Sequence, residues 1–251
     1  MPHKDAVTQQ FDRTAESYRT SAVHAQGSDL ALFARHAQAA RPQRALDVGC
    51  GAGHAAYAVA PFCAGIDAAD ASEAMLAVVA DEARRRGLAH LRTVCAHVEQ
   101  LPYPDRSVDL VTCRYSAHHW ADLGAGLREI HRVLRQGGLF LVTDSAGADD
   151  ALTDTHMQTV EILRDRTHVR SYRLPEWEEA LRQHGFTVET SERMRVRLTF
   201  ADWVARAQTP ADRVTIIRDI LTEAPAEVRS RLDVQNDGSF LLDVVTLVAR
   251  A

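Results

Sequence analysis

The chain has 251 residues, of which 46% are hydrophobic and 25% are charged, and 29 basic against 34 acidic side chains give a formal net charge of −5. That size suits one α/β domain with a cap, and the negative balance disfavours a nucleic-acid backbone as the main partner. No apolar stretch approaches 18 residues and no basic leader precedes an apolar run, so we expect a cytoplasmic protein without a membrane span.

Four cysteines are present, and none lies beyond residue 113. They form no CxxC pair, which argues against a disulfide framework and against a zinc site. We therefore expect no metal.

Two amphipathic helices are predicted ahead of the first strand, over residues 6–18 and 29–40, because apolar side chains recur there at helical spacing. A polar segment, 20–27, separates them. Both helices can lie over the edge of the sheet that follows. Aromatic side chains on such helices often serve packing, so Phe11 and Tyr18 also fit a buried face.

A glycine turn follows the first predicted strand, residues 44–48, and an alanine-rich helix follows the turn. Gly49, Gly51 and Gly53 accept positive φ and leave no Cβ between the backbone and a ligand, so the backbone itself becomes the binding surface. Asp47 precedes the glycines, and the spacing is GxGxG and not the GxGxxG of a pyrophosphate loop. An ammonium group suits this position better than a phosphate.

The second predicted strand, residues 65–70, ends in Asp70, which is placed to accept hydrogen bonds from both hydroxyls of a ribose. Asp67 is a rival for this role, but its spacing to the following helix fits less well and a solvated strand position suits it better. A ribose without a pyrophosphate, together with an amino group, suggests S-adenosylmethionine.

The rest of the chain alternates between predicted helices and strands. Ser72 caps a helix that Gly87 ends, and Pro175 suits the first turn of a later helix. The apolar run at 110–113 is typical of a strand buried on both faces. Further strands are predicted at 91–96, 139–143, 187–198 and 241–249, and further helices at 127–134, 154–164, 174–183 and within 200–232.

Four blocks in order, DVGCGAG at 47–53, DASEAML at 70–76, EQLPYPDRSVDLV at 99–111 and HRVLRQGGLFLV at 131–142, resemble the class I S-adenosylmethionine-dependent methyltransferases. The resemblance is strongest to the branch similar to the ubiquinone/menaquinone-biosynthesis enzymes. It implies a Rossmann-like α/β fold: a seven-stranded mixed sheet whose last strand is antiparallel, helices on both faces, and an N-terminal plus an inserted helical lid. One domain, 1–251, would then comprise lid helices (1–43), a cofactor-binding core (44–145), and insertions that form an acceptor cap (146–176 and 200–235).

The resemblance also implies which residues meet the ligands. His97 and Val98 stand where the family usually has Asp-Ala, and a histidine can accept the hydrogen bond of an adenine amino group only while unprotonated, so we expect affinity to fall at low pH. An adenine held by backbone amides alone is the alternative. The expected cofactor contacts are Tyr18, His24, Gln26, Asp47, Gly49, Gly51, Gly53, Asp70, Ala71, Met75, His97, Val98 and Arg114. The expected acceptor contacts are Phe11, Tyr115, His168, Arg170 and Tyr172.

The segment RYSAHHW at 114–120 follows the fourth strand, where ligands bind in open parallel sheets. His118 and His119 are the candidate catalytic residues, because an imidazole can take a proton from an acceptor at neutral pH. Adjacent histidines on an extended chain point to opposite sides, which disfavours a metal pair. Alternatively, one histidine packs against Trp120 and positioning alone drives the transfer.

The inserted segment is locally basic at Arg166, His168 and Arg170. These side chains suit a carboxylate or phosphate on the acceptor, although a solvated charged face is the simpler explanation.

The predicted function is transfer of a methyl group from S-adenosylmethionine to a small-molecule acceptor, at a hydroxyl, an amine or a ring carbon, by a monomer or homodimer. A catalytically silent S-adenosylmethionine-binding or scaffold protein shares every cofactor motif and is the alternative. Asp47 and the GxGxG spacing disfavour a nicotinamide oxidoreductase. The charge balance and the lack of an Asn-Pro-Pro-Tyr-type motif after the fourth strand disfavour nucleic-acid methylation.

Overall fold

A computed structural model describes residues 1–19 and 27–251, with the side chains of 1–15 and 27–251. The predicted cofactor contacts His24 and Gln26, and the side chain of Tyr18, lie outside the described residues. None of the described helices is long and apolar enough to cross a membrane.

The core is a seven-stranded sheet with the order β3-β2-β1-β4-β5-β7-β6. Strands β1 to β5 pair in parallel, whereas β7 runs antiparallel to both β5 and β6. The predicted mixed sheet with an antiparallel last strand is therefore confirmed. The strands are β1 (Ala45–Val48), β2 (Ile66–Asp70), β3 (Leu91–Cys95), β4 (Val108–Arg114), β5 (Leu134–Ser145), β6 (Thr187–Leu198) and β7 (Phe240–Arg250).

Helices cover both faces of the sheet. The strand order reverses between β1 and β4, and α/β sheets open a ligand crevice at such a reversal. The helices are α1 (His3–Arg19), α2 (Ser28–Ala40), α3 (His54–Val59), α4 (Glu73–Arg85), α5 (Leu123–Val133), α6 (Ala151–Arg164), α7 (Leu174–Gln183), α8 (Phe200–Arg206), α9 (Ala211–Thr222) and α10 (Ala226–Leu232). Single 3₁₀ turns occupy Ala60–Phe62 and Ala117–His119.

Capping explains where several helices begin. The Ser72 hydroxyl accepts from Met75 N at 3.1 Å, as the sequence predicts for the start of α4. Helix α5 begins four residues before its predicted start because Asp122 caps it through Ala125 N. The helical region predicted at 200–232 is three helices, since Pro210 and Pro225 occupy the N-caps of α9 and α10.

Apolar side chains form one buried cluster on each face of the sheet and a third beneath the cap of α8, α9 and α10. The cap cluster contains Trp203, Ile217 and Leu221, with Val214 packed against it. The predicted core stripe of the cap is therefore confirmed, and the cap is anchored to β6 and β7 by apolar packing.

Candidate active site

A cavity opens at the carboxyl ends of β1, β2 and β4, and its volume is about 1000 Å³ when the space at its mouth is counted. We call it the first cavity. Most of the side chains and backbone segments predicted to meet ligands line it. These are Phe11, Asp47, Gly49, Gly51, Asp70, Ala71, Met75, His97, Val98, Arg114, Tyr115 and His119.

The glycine turn has positive φ at all three glycines, 60° at Gly49, 49° at Gly51 and 84° at Gly53. A Cβ on Gly49 would lie 1.9 Å from the Ser116 hydroxyl, whereas a Cβ on Gly51 would have no described atom within 4 Å. Gly49 is therefore required by protein packing, and Gly51 presents bare backbone to the first cavity. Gly53 does not line that cavity and caps α3 instead, close to Tyr57.

Backbone amides orient the carboxylate of Asp70. One oxygen accepts from Gly51 N and the other from Ser72 N, both at 2.9 Å. Burial raises the pKa of Asp70, although these amide bonds favour the charged form. Each carboxylate oxygen can accept a second hydrogen bond, so two donors from a ligand can be held at this position.

Asp47 is buried at the end of β1, and the register of β1 with β4 places it opposite Thr112. Its two oxygens accept from the Thr112 hydroxyl at 2.7 Å and from Ala56 N at 3.1 Å. Burial raises the pKa of Asp47 to about 7. A positive ligand group near Asp47 would favour its charged form.

Arg114 and Asp29 form a buried ion pair whose side chains are 5% and 1% exposed. The pair joins the end of β4 to α2. The Arg114 guanidinium also lies 4.8 Å from the centre of the Tyr115 ring. Tyr115 has φ of 50°, a conformation that is strained for a residue with a side chain and that is often found at functional sites.

Helix α1 crosses the first cavity and is held at both sides. His3 Nε2 donates to the His119 carbonyl at 2.9 Å, Lys4 pairs with Glu99 at 3.3 Å, and Phe11 meets the His119 ring edge-on at 5.0 Å. Nearer its middle, α1 accepts a hydrogen bond at Asp12 from Ser72, and Gln10 donates to the Ala207 carbonyl after α8. The helix thus connects the cofactor edge of the sheet to the cap.

The two candidate catalytic histidines have different surroundings. Asp144, at the end of β5, accepts from His118 N at 3.0 Å and lies 2.5 Å from His118 Nδ1. Burial lowers the pKa of His118, but the charge and hydrogen bond of Asp144 outweigh burial, so the net pKa is raised above its ordinary value. His119 is buried, and burial together with the His118 charge lowers the pKa of His119 to about 3.

Hydrogen-bond partners define which ring nitrogen carries the proton. Because carbonyl and carboxylate oxygens accept, His119 Nδ1 donates to the Thr167 carbonyl at 3.0 Å and His118 Nδ1 donates to Asp144. In each neutral ring, Nε2 then carries the lone pair. His118 is the stronger base of the two, since its pKa is raised and that of His119 is lowered.

A second cavity adjoins the first, and Tyr115 and His119 line both. The second cavity has about 530 Å³ when its mouth is included. His118 and Ser145 also line it, together with charged and apolar side chains of α6, α8, β6 and β7. His118 therefore faces a space next to the first cavity and not the first cavity itself.

The other predicted acceptor contacts do not line either of these two cavities. His168 is buried, and its Nε2 donates to Gln158 at 2.9 Å. Arg170 pairs with Glu176 at 3.0 Å and with Asp154 at 3.5 Å. Tyr172 packs against the core cluster near Trp177. The inserted segment therefore uses these side chains in contacts within the protein.

Several residues that line the cavities or orient their walls were not predicted. Ser116 and Trp120 line the first cavity and hydrogen-bond to each other at 3.2 Å. Arg164 and Arg206 line the second. Ser116 and Trp120 could have been predicted, because the segment RYSAHHW follows the end of a strand. No local sequence pattern predicts that Arg164 and Arg206 line a cavity.

The strand order, with the glycine turn after β1 and the acid at the end of β2, defines a Rossmann-like protein with a ligand crevice at the carboxyl edge of its sheet. Comparison with known proteins agrees, and the chain belongs to the class I S-adenosylmethionine-dependent methyltransferases. The family described as "Methyltransferase domain" matches residues 46–142.

Two relatives match most of the chain. It is 36% identical over 219 residues to the uncharacterised methyltransferase YcgJ of Bacillus subtilis (strain 168), covering 87% of each protein. It is 39% identical over 197 residues to the uncharacterised protein YafE of Escherichia coli (strain K12), covering 78% of this chain and 95% of that protein.

Solved structures show the same fold. The crystal structure of YcgJ superposes with a TM-score of 0.82 and 32% identity, covering 89% of this chain and 97% of that one. A putative methyltransferase from Bacillus halodurans superposes with a TM-score of 0.85 and 30% identity, covering 89% of this chain and 99% of that one.

Proposed function

We propose that this methyltransferase uses S-adenosylmethionine, bound in the first cavity, and methylates a small-molecule acceptor that enters the second. The observation that carries the proposal is the carboxylate of Asp70. It stands beside the glycine turn with both oxygens oriented by Gly51 N and Ser72 N, and it has capacity left for the two hydroxyls of a ribose.

The residues of the first cavity fit the remaining parts of this cofactor. Gly51 leaves room for the methionine end to approach the backbone, and buried Asp47 lies near enough to the turn to attract its ammonium group. Met75, His97 and Val98 line the cavity where the adenine would lie.

The chemistry that the cofactor supplies is a methyl group already activated by its bond to a sulfonium sulfur. The protein then has to orient the acceptor, exclude water and receive a proton. Helix α1 crosses the first cavity, and the Arg114–Asp29 pair ties the cavity wall to α2. His118 Nε2 is the proposed proton acceptor, because Asp144 orients the ring and raises its basicity.

The transfer balances without any further reagent. The carbon–sulfur bond breaks as a bond from the methyl carbon to the acceptor oxygen, nitrogen or ring carbon forms. The proton that the acceptor loses goes to His118, and the ion pair with Asp144 stabilises the resulting imidazolium.

The test of the cofactor proposal is calorimetric titration with S-adenosylhomocysteine, the demethylated product. We expect binding by the wild type and a loss of roughly tenfold to a hundredfold in Asp70→Asn, because charge-assisted bonds to the ribose are lost. Asp67→Asn is the matched control: Asp67 is on the same strand but binds Arg92 and Tyr103. Equal loss in both variants, or no binding by the wild type, would contradict the proposal.

Asp47 provides a prediction for the effect of pH on binding. Because the pKa of Asp47 is raised to about 7, part of the population is protonated below that pH. A bound ammonium group lowers this pKa, so binding of S-adenosylmethionine at pH 6 should release protons, and binding above pH 8 should release few. Calorimetry in buffers of different ionisation enthalpy measures the release, and Asp47→Asn should remove it. A proton release that persists in the variant would refute the assignment.

A further inference from the structure

His119 stands where the first and second cavities meet, and proton transfer by His118 requires nothing of it. The residue lines both cavities although it is only 7% exposed. Its ring lies beside that of His118, with 4.2 Å between the two ring centres. An acceptor that reaches from the second cavity toward the cofactor therefore passes His119.

A chain of hydrogen bonds fixes the ring of His119. Asp165 Oδ1 accepts from the Thr167 backbone N at 2.9 Å and from the Thr167 hydroxyl at 2.6 Å. The Thr167 carbonyl accepts in turn from His119 Nδ1 at 3.0 Å. The Thr167 hydroxyl gives its hydrogen to Asp165, so it can only accept from His119 Nδ1, which lies 3.1 Å away. His119 therefore has one tautomer, with the hydrogen on Nδ1 and a lone pair on Nε2.

The lone pair on His119 Nε2 has no hydrogen-bond donor among the described residues. Because Nδ1 is turned toward Thr167, the opposite edge of the ring, which carries Nε2, is turned toward the cavities. Burial lowers the pKa of His119 to about 3, so Nε2 stays unprotonated at neutral pH. A buried acceptor without a donor is unfavourable, and a ligand with an O–H or N–H group would supply the donor.

The acceptor is the better source of this donor than the cofactor. In the arrangement proposed above, the ribose hydroxyls of the cofactor donate to Asp70 and its ammonium group lies near Asp47. The second cavity holds the acceptor, and apolar side chains of Leu198, Trp203 and Leu242 line part of it. An apolar body can lie against that wall while its polar end points to the two histidines.

We propose that the acceptor carries a second hydrogen-bond donor close to the reacting atom, and that His119 Nε2 accepts from it. The reacting O–H, N–H or C–H gives its proton to His118, and the neighbouring O–H or N–H keeps its proton and orients the acceptor. This inference rests on the proposed function, because it names the acceptor class of the same site. His119 then determines specificity and takes no proton itself.

The test measures acceptor binding without requiring turnover. S-adenosylhomocysteine is titrated first, and the saturated protein is then titrated with probes that form two pairs. 1-Phenylethane-1,2-diol is compared with 2-phenylethanol, and 2-aminobenzyl alcohol with benzyl alcohol. The first member of each pair has one donor group more than the second. We expect at least one two-donor probe to bind roughly tenfold more tightly than its partner, because the partner leaves His119 Nε2 without a donor.

Variants separate the lone pair from the shape of the ring. His119→Phe keeps a ring and removes the lone pair, so it should abolish the preference for the two-donor probe. His119→Gln keeps an oxygen acceptor and should restore part of the preference. His131→Phe, the same change at a histidine of α5 that packs against Phe186, is the control and should keep the full preference. Thermal melting and S-adenosylhomocysteine binding check that each variant is folded.

Nitrogen NMR of labelled histidine observes the same contact in the wild type. The Nε2 signal of His119 should move upfield when the two-donor probe binds to the saturated protein, because a hydrogen bond forms at the lone pair. It should move less with the one-donor partner. This measurement does not depend on a variant that replaces a buried residue.

The outcomes distinguish the two proposals. Failure of S-adenosylhomocysteine to bind would overturn the proposed function. If it binds, three results overturn this inference alone. The first is equal binding of both members in each pair, and the second is a folded His119→Phe protein that keeps the wild-type preference. The third is a His119 Nε2 signal that moves fully with S-adenosylhomocysteine and no further with the probes, since the cofactor is then its donor.

Discussion

Gly51→Ala will weaken the binding of S-adenosylhomocysteine on the order of tenfold to a hundredfold, whereas Gly87→Ala will leave it unchanged. Both glycines have positive φ, 49° and 68°, and a Cβ at either would have no described atom within 4 Å. The two substitutions should therefore destabilise the fold by a similar amount, about 1–2 kcal/mol, through backbone conformation alone.

What differs between the two positions is the ligand. Gly51 lines the first cavity, and Gly87 lies after α4 away from it. An added methyl group at Gly51 occupies space that the methionine end of the cofactor needs. Calorimetric titration measures the affinities, and urea unfolding measures the two stabilities. Normal binding by Gly51→Ala would show that the ligand does not approach the turn.

His118→Gln will lower kcat by roughly 10²- to 10⁴-fold with an acceptor that loses a proton, while the affinity for S-adenosylhomocysteine stays near that of the wild type. The His118 side chain lines the second cavity and not the first. The substitution should therefore slow the methyl transfer without changing the affinity for the cofactor. His131→Gln, on α5 and against Phe186, is the distant histidine control. A loss of cofactor affinity equal to the loss of kcat would contradict the role in proton transfer.

Asp144→Asn tests how His118 is positioned. Asp144 raises the pKa of His118, so the wild-type rate should fall as the pH drops through a value above 6.5, where His118 becomes protonated. Removing the charge of Asp144 lowers this pKa, and the acidic limb of the pH–rate profile should move to lower pH while the maximal rate falls. Nitrogen NMR of labelled histidine follows the same titration without an acceptor. If Asp144→Asn changes neither the acidic limb of the pH–rate profile nor the NMR titration of His118, Asp144 does not set the pKa of His118.

The arrangement of the proposed cofactor half of the site was predictable because its signals are local. Asp47, the glycines and Asp70 lie within one strand–turn–helix–strand unit, and parallel pairing brings the ends of β1 and β2 together. The same unit predicted the cap at Ser72. Spacing along the chain was sufficient here because neighbouring elements in sequence are neighbours in space.

Contacts between distant segments were not predictable. The pairs Arg114–Asp29 and His118–Asp144 join residues 85 and 26 positions apart. Choosing between His118 and His119 required Asp144 and the Thr167 carbonyl, which lie on other elements. The basic segment around Arg170 suggested acceptor recognition, but Arg170 is paired with Glu176, and the arginines that line the second cavity come from α6 and α8.

The measurement that tests the central claim most directly is a crystal structure with S-adenosylhomocysteine. We predict electron density in the first cavity, with the ribose hydroxyls within hydrogen-bond distance of Asp70 and the homocysteine end along Gly51. The sulfur should face the wall formed by Tyr115 and His119, from which the second cavity opens. Density for the ligand elsewhere, or a reversed ligand with its adenine at Asp47, would contradict the account.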